Sequence, residues 1–313
     1  MLLTSCTKER TWQLESSKKI EGVNAIGLAA DGDDLWLSDG DHNRLVKIST
    51  AGEILETIDS LERPMHISIS EKGVFVPEYG KDTIEIFKED QRDFVKLTDS
   101  LDAPAGVWVK DDEIAIADFY NHRILYSDGN EWISFGEEGK ENGQFYYPTD
   151  VQITDNAIWV ADAYNNRIQV FDKAGKYQKT FGESLKMNAS TGMFVSDDAL
   201  FITDFENDRV LILDHEGVLK QEIKDSISKP TDVIVNNDVM YIVNYKSGKL
   251  NTYKKRHPTD QELKRWFSSG NRMIAVITGE ISNGLQALDF EAKDKAGKPM
   301  PCVYDQWHSQ LKQ

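Results

Sequence analysis

The sequence contains only two cysteines in 313 residues, Cys6 and Cys302. That excludes a disulfide framework, and no closely spaced cysteines or histidines suggest a structural zinc site. Basic residues are in deficit, with 36 Lys and Arg against 53 Asp and Glu and a net charge of −17. A nucleic-acid partner is not expected, because phosphate recognition needs a basic footprint that releases counterions. The acidic excess reads as a solubility feature. No run of about 18 apolar residues occurs, so no segment is expected to cross a membrane as a helix. No Ser/His/Asp or Cys/His set announces a nucleophile. What remains, 40% hydrophobic and 10% aromatic, suits a folded chain.

What is present is one phrase written six times. Its clearest copy is Pro148-Thr149-Asp150-Val151, then Ile158-Trp159-Val160-Ala161-Asp162, then Tyr164-Asn165-Asn166-Arg167-Ile168. The acidic or amide anchor of the phrase falls at Asp39, Glu78, Asp118, Asp162, Asp204 and Asn244, at spacings of 39, 40, 44, 42 and 40 residues. Five residues after each anchor stand Arg44, Thr83, Arg123, Arg167, Arg209 and Lys249. Residues 148 to 182 alternate apolar and polar positions in four short runs separated by turn residues, which predicts four antiparallel strands per copy. A period near 40 with four strands per unit predicts an all-β, six-bladed β-propeller. The sixth copy supplies three strands. Thr11 to Glu15 has the composition of the missing one, and a strand from the start of the chain would close the ring and remove a sheet edge. The competing donor is the apolar run Met273 to Thr278.

The Pro-x-Asp/Gly-Val opening, the Ala-Asp-x-Tyr-Asn-x-Arg-Ile centre and the connector Phe135-Gly136-Glu137-Glu138-Gly139 to Gly143-Gln144-Phe145 resemble NHL-repeat proteins. The resemblance covers about residues 11 to 255 and implies a six-bladed propeller, the number counted independently above. The second copy departs from it, with Glu78 and Thr83 in place of Asp and Arg. Residues 256–313 lie outside the repeat and read as a short α+β extension. The sequence predicts a helix from Pro258 to Phe267, a strand from Arg272 to Ile281 and an extended stretch from Leu285 to Ala292.

Residues 1–10 have a different character. Leu3-Thr4-Ser5-Cys6 resembles the bacterial lipobox, in which Cys6 becomes the lipidated first residue, and Thr7 to Arg10 is polar as a tether would be. A charged and then apolar leader is missing, so the expectation is either that the start codon is placed too late or that the sequence begins inside its signal peptide. The expected location is the cell envelope, with membrane attachment through a lipid anchor only.

The repeated Asp–Arg pairs are expected to serve the frame, because a side chain needed in every blade is structural. Residues that differ between blades are the candidates for function. His66, Asp150 and Asp232 fall on blades two, four and six and are expected at the channel mouth, where two carboxylates and an imidazole suit a divalent cation. The plainer expectation is that the aspartates bond local amides and that no cofactor is bound. Tyr79, Tyr120, Tyr164 and Tyr245, with Phe119 and Phe205, sit in turns on the same face, and Phe145, Tyr146 and Tyr147 follow in the long connector. Exposed aromatics around a concave mouth are common anchors for a ligand.

Among NHL propellers, the peptidyl-hydroxyglycine amidating lyase holds zinc with histidines directly after the opening prolines. Here those positions carry Ile26, Met65, Ala105, Thr149, Thr191 and Thr231. That chemistry is not expected. The function expected is non-catalytic binding of a protein, peptide or glycan. The alternative is a lyase or lactonase-like hydrolase using a channel metal, and a third possibility is a soluble cytoplasmic scaffold if Cys6 is not lipidated.

Overall fold

The computed structural model describes residues 10–89 and 91–257. Among these, 24 strands form six four-stranded antiparallel sheets. The first strand of each sheet packs on the first strand of the next, and the sixth packs on the first, so the sheets are blades of a closed propeller. Residues 258–313 and Cys6, with the expectations placed on them, lie outside the described residues.

Blade four shows how the sequence dictates this. Its strands are Pro148–Ile153, Ile158–Asp162, Arg167–Phe171 and Tyr177–Phe181. Strand side chains alternate between faces. Trp159 and Ala161 join Met193, Ile202 and Leu213 of blade five, while Ile158 and Val160 join Ala117 and Tyr126 of blade three. One strand thus fills two inter-blade cores, which is why it reads as an unbroken apolar run rather than an alternating one. The outermost strand is only partly buried, with Gln178 and Lys179 exposed, and is correspondingly more polar.

The ring closes through the N-terminal strand. Thr11–Lys19 pairs with Lys249–Arg256, the third strand of blade six, giving the spatial order first-to-last that the composition of Thr11 to Glu15 implied. Trp12 is buried edge-on against Phe201, 5.8 Å between ring centroids. The Gln221 side chain accepts a hydrogen bond from the Trp12 backbone N–H at 2.9 Å and donates one to its carbonyl at 2.7 Å.

The anchors have a uniform job. Each carboxylate or amide oxygen accepts the backbone N–H of the connector arriving from the preceding blade: Asp118 from Asp102, Asp162 from Tyr146, Asp204 from Asn188, Asn244 from Ser228. The arginine five residues on bonds the same carboxylate. Arg167 Nε donates to Asp162 at 2.7 Å, and its guanidinium also holds the carbonyls of Lys140, Glu141 and Gln144. Arg123 and Arg209 repeat this with the carbonyls of Ser100 and Leu185. The pair therefore clasps the inter-blade connector, a structural role in the frame. Arg167→Ala is expected to lower stability by about 2–3 kcal/mol, since it strips charge-assisted bonds from a buried carboxylate. Urea unfolding measures it, and an unchanged midpoint would refute the structural role.

Blade two departs where its sequence does. Glu78 keeps the connector bond, to the N–H of Glu62, but its cation is Lys81, 2.9 Å away. Glu85 stands where blade four has Gln169, whose amide donates to Asp162. Glu85 is buried and its Oε2 has no hydrogen-bond partner among the described residues. Burial, reinforced by the Glu78 carboxylate, pushes its carboxyl from 4.5 up to about 7, with Lys81 and Arg92 opposing the rise. A raised folded-state value means the stabilisation is full below 4.5 and is lost as pH climbs through about 7. Glu85→Gln supplies the donor of blade four and is expected to gain about 1–2 kcal/mol at pH 8, discounted for screening by the partly exposed cations. Little gain is expected at pH 5. Denaturant melts at both pH values check this, and an equal gain at both would contradict it.

Candidate functional site

Two residues after the start of the innermost strand stand Gly27, Gly106, Asp150, Gly192 and Asp232, and in blade two His66, two residues after the bridged Pro64 and ahead of the short strand Ser68–Ser70, takes the matching place, so glycine alternates with a side chain around the ring. The cause is steric. A Cβ at Gly27, Gly106 or Gly192 would lie 2.6, 2.7 or 2.4 Å from the carbonyl oxygen of Met65, Thr149 or Thr231 on the next blade. The side chains of the other three blades occupy the space left free. Asp150 accepts the N–H of Val151 and, at 2.9 Å, that of Met193 on blade five. Asp232 does the same with Val233 and with Leu28 on blade one. His66 breaks the series, because the matching N–H, that of Val107, bonds the His66 carbonyl instead.

The three side chains come together, with one ligand atom from each within 4.8 Å of the others. They are deeper than the sequence suggested, at 4%, 6% and 5% exposure for His66, Asp150 and Asp232. Of the positions one place earlier, Ile26, Met65, Thr149, Thr191 and Thr231 line the channel mouth, together with His66. Each threonine hydroxyl bonds a carbonyl at the start of the next blade, Thr149 to Thr191 at 2.8 Å and Thr231 to Ala25 at 3.2 Å. Burial opposes charge on His66, yet the carboxylates of Asp150 and Asp232 hold its imidazole above the usual range. Burial pushes Asp150 up to about 7 against the pull of His66.

Above this floor is an open cup of about 470 Å³. Its wall includes all four of the expected tyrosines, Tyr79, Tyr120, Tyr164 and Tyr245, with Phe119, Phe205 and Tyr147. The rings support one another. Phe119 stacks on Tyr147 at 4.7 Å, and Tyr147 meets Tyr164 edge-on at 5.1 Å. Tyr120 and Tyr164 remain 48% and 60% exposed. Of the other connector aromatics, Phe145 is fully buried between blades three and four and Tyr146 stacks on His122, so neither lines the cup. A larger hollow of about 710 Å³ lies by the opposite turns of blades three to five, off the channel.

Sequence reasoning missed Arg63, which lines the cup with its guanidinium 5.2 Å from the Tyr79 ring centroid. Its register was a usable signal. In blades two to six the residue just ahead of Pro64, Pro104, Pro148, Ser190 and Pro230 is Arg63, Ala103, Tyr147, Ala189 and Lys229 respectively, and all five have positive φ. Each N–H is held by a side chain from the preceding blade: Asn43, Asp82, His122, Asn166 and Asp208 respectively. This left-handed position aims two of the five, Arg63 and Tyr147, into the cup.

Residues 145–171 match the NHL repeat family. No curated protein matches the sequence. Several solved structures share the fold at low identity. Virginiamycin B lyase from Staphylococcus aureus, solved as a catalytically inactive variant with quinupristin, is 15% identical with a TM-score of 0.59, covering 79% of this chain and 100% of that one. A gluconolactonase from Xanthomonas campestris is 14% identical with a TM-score of 0.64, over 80% and 96% of the two chains. A chain of a nidogen/laminin complex is 19% identical with a TM-score of 0.55, over 64% and 79%. Enzymes and a protein assembly thus share one architecture, and function is carried by the site rather than the fold.

Proposed function

We propose that this protein is a non-catalytic binding propeller of the cell envelope that takes a segment of a peptide or glycan into the aromatic cup. The observation that carries this is the convergence of exposed Tyr120 and Tyr164 with Arg63 over one open hollow, built from residues that vary between blades. The repeated residues are engaged in the frame. A volume of about 470 Å³ falls in the range of small-ligand sites, so the occupant is a chain end, a side chain or one or two sugar rings rather than a flat protein face. Aromatic faces pack on sugar or side-chain carbons, and Arg63 suits a carboxylate or other anion on the ligand. The lipobox-like Leu3-Thr4-Ser5-Cys6 supports attachment through lipid on Cys6, with a polar link to the first strand.

The runner-up is a lyase or lactonase-like hydrolase, favoured by the enzymes of similar fold and by the clustered His66, Asp150 and Asp232. Against it, Asp150 and Asp232 do not line the cup. Glycan and peptide arrays read with labelled full-length protein test the binding proposal. Anionic glycans or peptides are expected to be retained unchanged, and release of cleaved product from the array would favour the enzyme instead.

A further inference from the structure

We propose that His66, Asp150 and Asp232 hold one divalent cation at the centre of the channel, beneath the cup. This goes beyond binding in the cup and does not depend on it. Three observations converge on it. First, the ligand atoms of three alternate blades lie within 4.8 Å of one another. The Nδ1 of His66 is 3.4 Å from Asp232 Oδ2, the spacing of two neighbouring ligands on an ion with bonds of about 2.1 Å. Second, the His66 backbone bridges to blade three but its side chain does not. Asp150 and Asp232 each bridge to the next blade, but the imidazole Nδ1, buried and turned towards the carboxylates, makes no hydrogen bond among the described residues. Its polar neighbour is Asp232 Oδ2 at 3.4 Å, longer than a good charge-assisted bond, so the water it gave up is only partly replaced. Third, the charge is unbalanced. Two buried carboxylates face one imidazole, and a dication supplies what the side chains lack.

The surroundings are already those of an ordered site. Each aspartate oxygen accepts one backbone N–H, which fixes the carboxylate while leaving a lone pair free. Gly106 and Gly192 keep the space beside the carboxylates clear, since a Cβ there would lie 3.4 Å from Asp150 Oδ1 and 3.0 Å from Asp232 Oδ1. One nitrogen and two carboxylate donors suit Zn²⁺ or Mn²⁺ better than Ca²⁺ or Mg²⁺. Three protein donors leave at least one position for water.

The test uses full-length protein stripped with a chelator, dialysed, and titrated by calorimetry with ZnCl₂ and MnCl₂. One tight equivalent is expected for the wild type. His66→Ala is expected to weaken that equivalent by about 100-fold or more. Substoichiometric Mn²⁺ is expected to broaden the His66 ring resonances of the wild type before any other histidine, a readout that does not need the variant to fold. No tight equivalent, an equivalent retained by His66→Ala, or broadening that spares His66 would each overturn the proposal and assign the ions to the acidic surface.

Discussion

Removing residues 1–19 is expected to abolish the cooperative unfolding transition of the propeller. The deletion takes away the outer strand of blade six and leaves Lys249–Arg256 as an open edge. It also uncovers the core between blades five and six, where Trp12 packs with Phe201, Ile223 and Tyr253. A single substitution isolates most of the effect. Trp12→Ala is expected to cost about 3–5 kcal/mol, the range for truncating a buried tryptophan. Its indole contact and the paired bonds of Gln221 to the backbone lie on the same few residues, so loss of the ring loosens the whole clasp. Urea melts and size-exclusion chromatography read both variants. A deletion variant that elutes as a monomer with the parent midpoint would show that the ring does not need this strand.

Much of the fold was legible because a frame residue must recur wherever the frame recurs. The anchors Asp118, Asp162 and Asp204 and their arginines announced the period, and the composition of Thr11 to Glu15 announced the closing strand, which the structure extends to Lys19. Depth was harder to read. The innermost strands carry a register shift between Pro148 and Asp150, and likewise at Pro104 and Pro230. Such a shift moves neighbouring side chains off simple alternation. Thr149 and Thr191 therefore face the cup while Asp150 lies below, a distinction periodicity alone does not make. Arg63 was hidden for a different reason. Its place in the cup follows from a left-handed backbone that tertiary bonds impose, here from Asn43 of the preceding blade. The alternation of Gly27, Gly106 and Gly192 with His66, Asp150 and Asp232 was visible as residue types. Its cause, close approach to the next blade's carbonyls, needed coordinates.

The double substitution Tyr120→Ala with Tyr164→Ala is the second change with a large expected effect, and it falls on function rather than stability. Both rings are substantially exposed, so their removal uncovers little core. In a binding cup they are the surfaces a ligand would desolvate, and anchors of this kind account for about 2–4 kcal/mol together, or about 30- to 700-fold in affinity. Arg63→Ala is expected to weaken anionic ligands selectively, because its guanidinium faces the same hollow.

The most direct measurement is isothermal titration of the strongest glycan- or peptide-array ligand into the wild type and into Tyr120→Ala/Tyr164→Ala, with a thermal melt of each. Binding in the cup requires the double variant to lose affinity by at least about 30-fold while its melting curve stays that of the parent. Equal affinity in the two proteins would contradict it, and would move the site away from the channel mouth.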